Sequence, residues 1–356
     1  MTRTLRWSMA AALAAGLSAG CTYYNAMWSA KRHASDARQL ERHGQPADAR
    51  AQWAQAAART KAWQTEDALV LRAEGLAYSG ACRDAAALLA RARASIQDWT
   101  RRERIDLADA ECALAGGGGG DPVHAEAVLA APLASKNADR RSRAEFSAGR
   151  AAVLLRDYDA AARYFKRSRE PGAAGRALVS EQQARAARAT QRAGLAPIAS
   201  ELTRLLRSGS GTEEAKHVIE LLNAVMGDAV TPGMRFRVAE IARDSLHAPA
   251  LAGQLFLDAA AADSASLYAP KALIAALAVL PERRDSLVAL LDARYAGSPY
   301  THAFHGQPSV AYATAEESLA RELGVQGGST SSAGVSAVPF AAPVPGPRGP
   351  RFDPPR

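Results

Sequence analysis

The sequence predicts an all-α chain, and three observations carry that expectation. About a quarter of the residues are alanine, the strongest helix former. Aromatic residues make up only 6%, which argues against sandwiches and barrels built from aromatic and β-branched strands. Small and large apolar residues also recur at a helical spacing and repeat after 36 positions, a period typical of stacked helical hairpins. With 48% hydrophobic and 22% charged residues, the 356-residue chain can bury a substantial core in one or two domains.

The first element is a targeting segment over residues 1–20. Arg3 and Arg6 form a positive start, and Trp7 to Gly16 is an apolar stretch too short to span a bilayer but suited to a signal-peptide core. Leu17-Ser18-Ala19-Gly20-Cys21 follows. These residues resemble the lipobox of bacterial lipoproteins, Leu-[Ala/Ser]-[Gly/Ala]-Cys. The resemblance implies that Cys21 is lipidated and becomes the new amino terminus. A thiolate is the nucleophile such a transfer needs near neutral pH. Thr22 stands where an Asp would retain a Gram-negative lipoprotein at the inner membrane, so the family implies an outer-membrane anchor facing the periplasm. Tyr23 to Trp28 is already helix-compatible, leaving almost no tether.

The second element, residues 21–323, reads as helical hairpins. Ala37, Leu40, Gly44, Ala49, Trp53 and Ala56 recur with identical offsets as Ala73, Leu76, Gly80, Ala85, Leu89 and Ala92. Gly149, Ala152, Arg156-Asp157-Tyr158, Ala161, Phe165 and Ser168 form a third copy. Small residues let two antiparallel helices approach, and a bulky residue fills the space opposite. These positions resemble the tetratricopeptide repeat, which implies an α-solenoid of antiparallel hairpins. Ile105 to Leu129 reads as a degenerate copy whose turn is replaced by Gly116 to Pro122, with five successive glycines. No Gly-Lys-Ser/Thr follows those glycines, so a phosphate-binding loop is not indicated. Residues 175–230 are helical but off-pattern, with Ser208 to Thr212 between two helices and Thr212 a candidate N-cap. Hairpins resume near Arg235, where Ala252, Phe256 and Ala259 repeat the spacing of a second helix.

Two segments, Asp263 to Ala272 and Leu291 to Tyr300, resemble linkers of envelope tetratricopeptide lipoproteins, a group that includes scaffolds of outer-membrane β-barrel assembly. The third element, 324–356, is rich in Gly, Ser and Pro. Such a composition cannot bury a core and predicts a disordered tail.

Charge narrows the function classes. The net charge is +8, falling to +6 if Arg3 and Arg6 are removed with the signal. The basic residues are nearly all arginine and interleave with acids, as in Arg101-Arg102-Glu103-Arg104-Ile105-Asp106, so they read as solvated helix faces rather than a nucleic-acid patch. Histidines show no His-Glu-x-x-His, and His302 with His305 lacks a nearby acid or cysteine in sequence, so no metal and no cofactor is expected. No nucleophile elbow or separated carboxylate pair stands out, and the chain is expected to be non-enzymatic. Cys82 and Cys112 fall on helices expected to be antiparallel neighbours. They are either a disulfide in an oxidising compartment or two small buried thiols.

The expected function is a lipid-anchored scaffold or adaptor in envelope biogenesis, holding an extended peptide or a partner helix in a concave groove. Candidate groove residues are the exposed first-helix positions His33, Asp36, Leu69 and Arg72. An accessory subunit of a secretion or polysaccharide-export system is the alternative. A cell-wall or glycan hydrolase is the third reading.

Overall fold

The computed structural model describes residues 2–115, 120–209, 213–307 and 309–322, with the backbone alone for 2–21 and 322. Most of the pentaglycine turn, Thr212 and the tail beyond 323 therefore lie outside the described residues. Within them, seventeen α-helices account for the regular structure and no strand occurs. Helix α1 (Thr2–Arg42) pairs with α2 (Pro46–Thr60), and α3 (Glu66–Tyr78) with α4 (Cys82–Ser95). Helix α5 (Trp99–Leu114) pairs with α6 (Pro122–Leu133), the degenerate copy, and α7 (Ala138–Leu154) with α8 (Tyr158–Arg167). The chain continues through α9 (Ala173–Ala187), α10 (Leu195–Arg207), α11 (Glu213–Met226) and α12 (Pro232–Glu240), which ends in a π turn at Ile241–Ser245. Then follow α13 (Pro249–Ala262), α14 (Tyr268–Val279), α15 (Arg284–Tyr295), α16 (Pro299–Phe304) and α17 (Val310–Glu322).

Local chemistry sets the helix limits. Thr65, Asp98, Asp121, Asn137, Asp157 and Thr231 each accept a bond from a backbone N–H in the first turn of the helix they precede. The first-helix ends share one turn. Gln45 N–H donates to Leu40 C=O, Ala81 to Leu76 and Asp157 to Ala152, the six-to-one closure of a Schellman motif. The residue before each donor has positive φ: Gly44 at 71°, Gly80 at 90° and Arg156 at 65°. The third copy thus places an arginine in a conformation that glycine adopts without strain.

Consecutive helices pack on each other, and the odd-numbered helices α1, α3, α5 and α7 also touch in series. The core follows that plan. Along α1 to α9 it is divided into small patches, such as Trp53 with Met27, Ala30, Ala34 and Ala37, or Phe165 with Ala152, Ala161 and Ala177. From α9 onward a single larger core centres on Leu195, Leu222, Phe236, Phe256 and Tyr268. The small-against-large rule is visible at Gly149, where a Cβ would lie 2.7 Å from the Phe165 ring. At Gly75 a Cβ would lie 2.7 Å from Trp53 C=O, so α2 and α3 are in backbone contact there.

Candidate partner-binding face

Of the four expected groove residues, Leu69 is buried, while His33, Asp36 and Arg72 are half-buried. Leu69 is only 5% exposed, which corrects its reading as an accessible lining residue. Helix α3 is packed by α2, α4 and α5 and also meets α1, so four successive residues from Ala68 to Leu71 are buried. His33 is half-buried, with Nδ1 at 2.7 Å from Gln52 Oε1 on α2. Arg72 donates from Nη1 to the Lys61 carbonyl at 2.7 Å and holds the α2–α3 connection. Asp36 is half-buried on α1.

The side chains that meet across the odd-numbered helices are others. Glu74 on α3 accepts from Arg104 Nε at 2.8 Å and Nη2 at 2.5 Å, and Arg38 on α1 stands 3.5 Å away. Glu41 on α1 accepts from Trp53 Nε1 and from Arg143 Nη2, both at 2.7 Å. The Arg143 guanidinium lies 5.0 Å from the centre of the Tyr78 ring, which in turn sits 5.0 Å from Trp53. Arg150 on α7 donates to Glu111 on α5 at 2.6 Å. Arg104 with Glu111, and Arg143 with Arg150, are seven apart and so share one helix face.

These contacts decide the charge states. Burial pushes the Glu74 carboxyl up, but Arg104, joined by Arg38 and Arg143, outweighs it and holds the group below the usual carboxylate range. Burial pushes the Tyr78 phenol up to about 12. Burial also raises Glu170, despite the opposing Arg143. Glu74 is therefore an ionised acid tied to arginine, not a proton donor near neutral pH.

Beyond Arg150 the face opens into a cavity of about 280 Å³ between α5, α7, α8, α9 and α11. Its walls are apolar, from Leu114, Val153, Leu154, Phe165 and Val179. Arg150, Arg176 and Glu214 supply its charged groups. Arg176 pairs with Glu214 at 2.6 Å, and Leu154 is largely exposed. An apolar wall beside arginine side chains is chemically matched to an apolar group flanked by carboxylates.

These pairs are not apparent from first-helix positions taken one at a time. The available signal was charge repeated every seventh residue on alanine-rich first helices.

Cys82, at the start of α4, is disulfide-bonded to Cys112, near the end of α5, with Cα atoms 5.3 Å apart. Cys21 falls within α1, and its side chain lies outside the described residues. His305 has Nε2 2.7 Å from Asp292 Oδ1. Among the described residues no cluster of three His, Cys, Asp or Glu is arranged to hold a metal ion, and no helix is long and apolar enough to cross a membrane. No protein-family model matches the chain, and neither a curated protein nor a solved structure matches it.

Proposed function

We propose that the chain is a lipid-anchored, periplasm-facing adaptor, a tetratricopeptide-like α-solenoid that binds a protein partner along the face built by α1, α3, α5 and α7. The observation that carries this reading is the continuity of that face. Four first helices aim Arg, Glu and Tyr side chains at one another and end in an apolar cavity sized for a side chain. An extended peptide or helix with an apolar residue flanked by acids fits it. A hydrolase would need an acid and a base free to exchange protons, whereas Glu41, Glu74 and Glu111 are each engaged by arginine.

The lipobox at Cys21 supports an acyl anchor, Thr22 after it supports the outer membrane, and the Cys82–Cys112 bridge suits an oxidising compartment. The pathway proposed is envelope biogenesis, with outer-membrane protein assembly as its first candidate.

Photocrosslinking residues placed at Leu154 and Arg176 in living cells, with mass spectrometry of the products, test the reading. Capture of the β-barrel insertase or its companions supports outer-membrane assembly. Capture of secretion or export components reassigns the adaptor to those systems. Mass spectrometry of the peptide that carries Cys21 is expected to find it acylated, and an unmodified Cys21 in membrane-extracted protein would overturn the anchor. Loss of any specific product at Leu154, with products retained from the opposite face, would overturn the binding face.

A further inference from the structure

The outward face of α1 just after Cys21 has a composition that the adaptor reading does not use. Tyr24 is 69% exposed and Trp28 is 56% exposed, while Lys31 and Arg32 also stand in solvent. The Arg32 guanidinium lies 5.6 Å from the centre of the Trp28 ring. On the opposite side Met27, Ala30, Ala34 and Ala37 are buried. At about 100° per residue, positions 21, 24, 28 and 32 fall within an arc of roughly 80°. From Cys21 to Arg32 the segment contains no acidic residue.

Its neighbour shows that exposure here is selective. Tyr23 turns inward, bonding Thr65 Oγ1 through its hydroxyl at 2.9 Å and meeting the Trp63 ring edge-on at 5.0 Å. Tyr24, one position later, has no such contact and projects outward with Trp28. A large ring with a polar N–H or O–H, set among cations, is stabilised at the level of lipid headgroups, where the ring is desolvated while its polar edge and the cations stay hydrated.

We propose that Tyr24, Trp28, Lys31 and Arg32 rest in the headgroup layer of an anionic phospholipid surface and lay α1 along it. The occupant follows from position and charge. The face begins one turn after the proposed acylation site, and its net charge is positive. The acyl chains would hold the protein at the bilayer, and the basic aromatic face would add a second, separate contact that sets its orientation. This inference rests on the reading of Cys21 as the anchor. It adds that the hairpin row is held at a fixed attitude to the membrane rather than hanging from a single point.

The test uses the full chain produced in a bacterial host, extracted from its membranes and reconstituted in vesicles of phosphatidylcholine and phosphatidylglycerol brominated just below the headgroups. Tryptophan emission is compared between the wild type and Trp28→Phe. Bromine is expected to quench the component contributed by Trp28 by about twofold or more, and Lys31→Glu with Arg32→Glu is expected to relieve much of that quenching. Equal fractional quenching of wild type and Trp28→Phe would overturn the proposal. Mass spectrometry of the peptide carrying Cys21 reads the anchor separately. An acylated Cys21 with an unquenched Trp28 overturns the surface contact and keeps the anchor. A quenched Trp28 on an unacylated chain keeps the contact and overturns the anchor.

Discussion

Arg143 in α7 donates to Glu41 in α1 at 2.7 Å, closing a gap of 102 positions in the chain. The two residues belong to the fourth and first hairpins, so the row of first helices curls far enough for its ends to touch. Trp53 holds the other oxygen of Glu41, and Tyr78 lies under Arg143, so the contact is framed on both sides.

That framing predicts the cost of breaking it. Arg143→Met leaves the Glu41 carboxylate partly desolvated with Trp53 as its remaining partner, and is expected to lower stability by about 2–3 kcal/mol. Adding Glu41→Gln should restore more than half of the loss, because the stranded charge disappears. Urea unfolding of the single and double variants reads both values.

The close approach of α7 and α8 predicts a second effect. Gly149→Ala adds a methyl 2.7 Å from the buried Phe165 ring, and is expected to destabilise by about 1–3 kcal/mol despite the better helix propensity of alanine. Shortening the partner as well, with Phe165→Leu, should recover part of the loss. A double variant as unstable as the sum of the singles would show that the two sites do not share this contact.

His247 predicts a pH dependence. It adopts a positive φ of 55°, its Nδ1 is buried without a partner, and its ring lies 6.2 Å from Tyr158. Burial first and Arg156 second lower its pKa below the ordinary 6.5, against the opposing Asp244. The folded state therefore binds this proton less readily than the unfolded chain. Its contribution is full above pH 6.5 and is lost as pH falls through the depressed folded value. Thermal melts from about pH 7 to about pH 5 should show a smaller drop for His247→Asn, since asparagine tolerates the left-handed backbone.

The Cys82–Cys112 bridge closes a loop over a sequence separation of 30. Removing it with Cys82→Ala and Cys112→Ala is expected to cost about 3–4 kcal/mol, chiefly by freeing the unfolded chain. A reducing agent should lower the wild-type unfolding midpoint and leave the double variant unchanged.

The helices were legible because their signals are local. Gly44 and Gly80 mark turns where φ is positive, and Trp53 and Phe165 fill spaces opposite small residues within their own hairpins. The charged face was less legible because its ion pairs join residues 30 to 102 positions apart, as Glu74 with Arg104 and Glu41 with Arg143. Leu69 was misplaced for the same reason. One helix's pattern gives the faces that hold apolar residues, but not how many neighbours cover them, and α3 is surrounded.

The division of the core into small patches along α1 to α9 has a mechanical side. Helices that grip only their neighbours form a spring, able to flex slightly at every joint. Tying the first helix to the seventh turns that spring into an arch, in which movement at one joint must be answered at the others. Glu41 and Arg143 form the contact that closes this arch, so spreading the arch separates that pair.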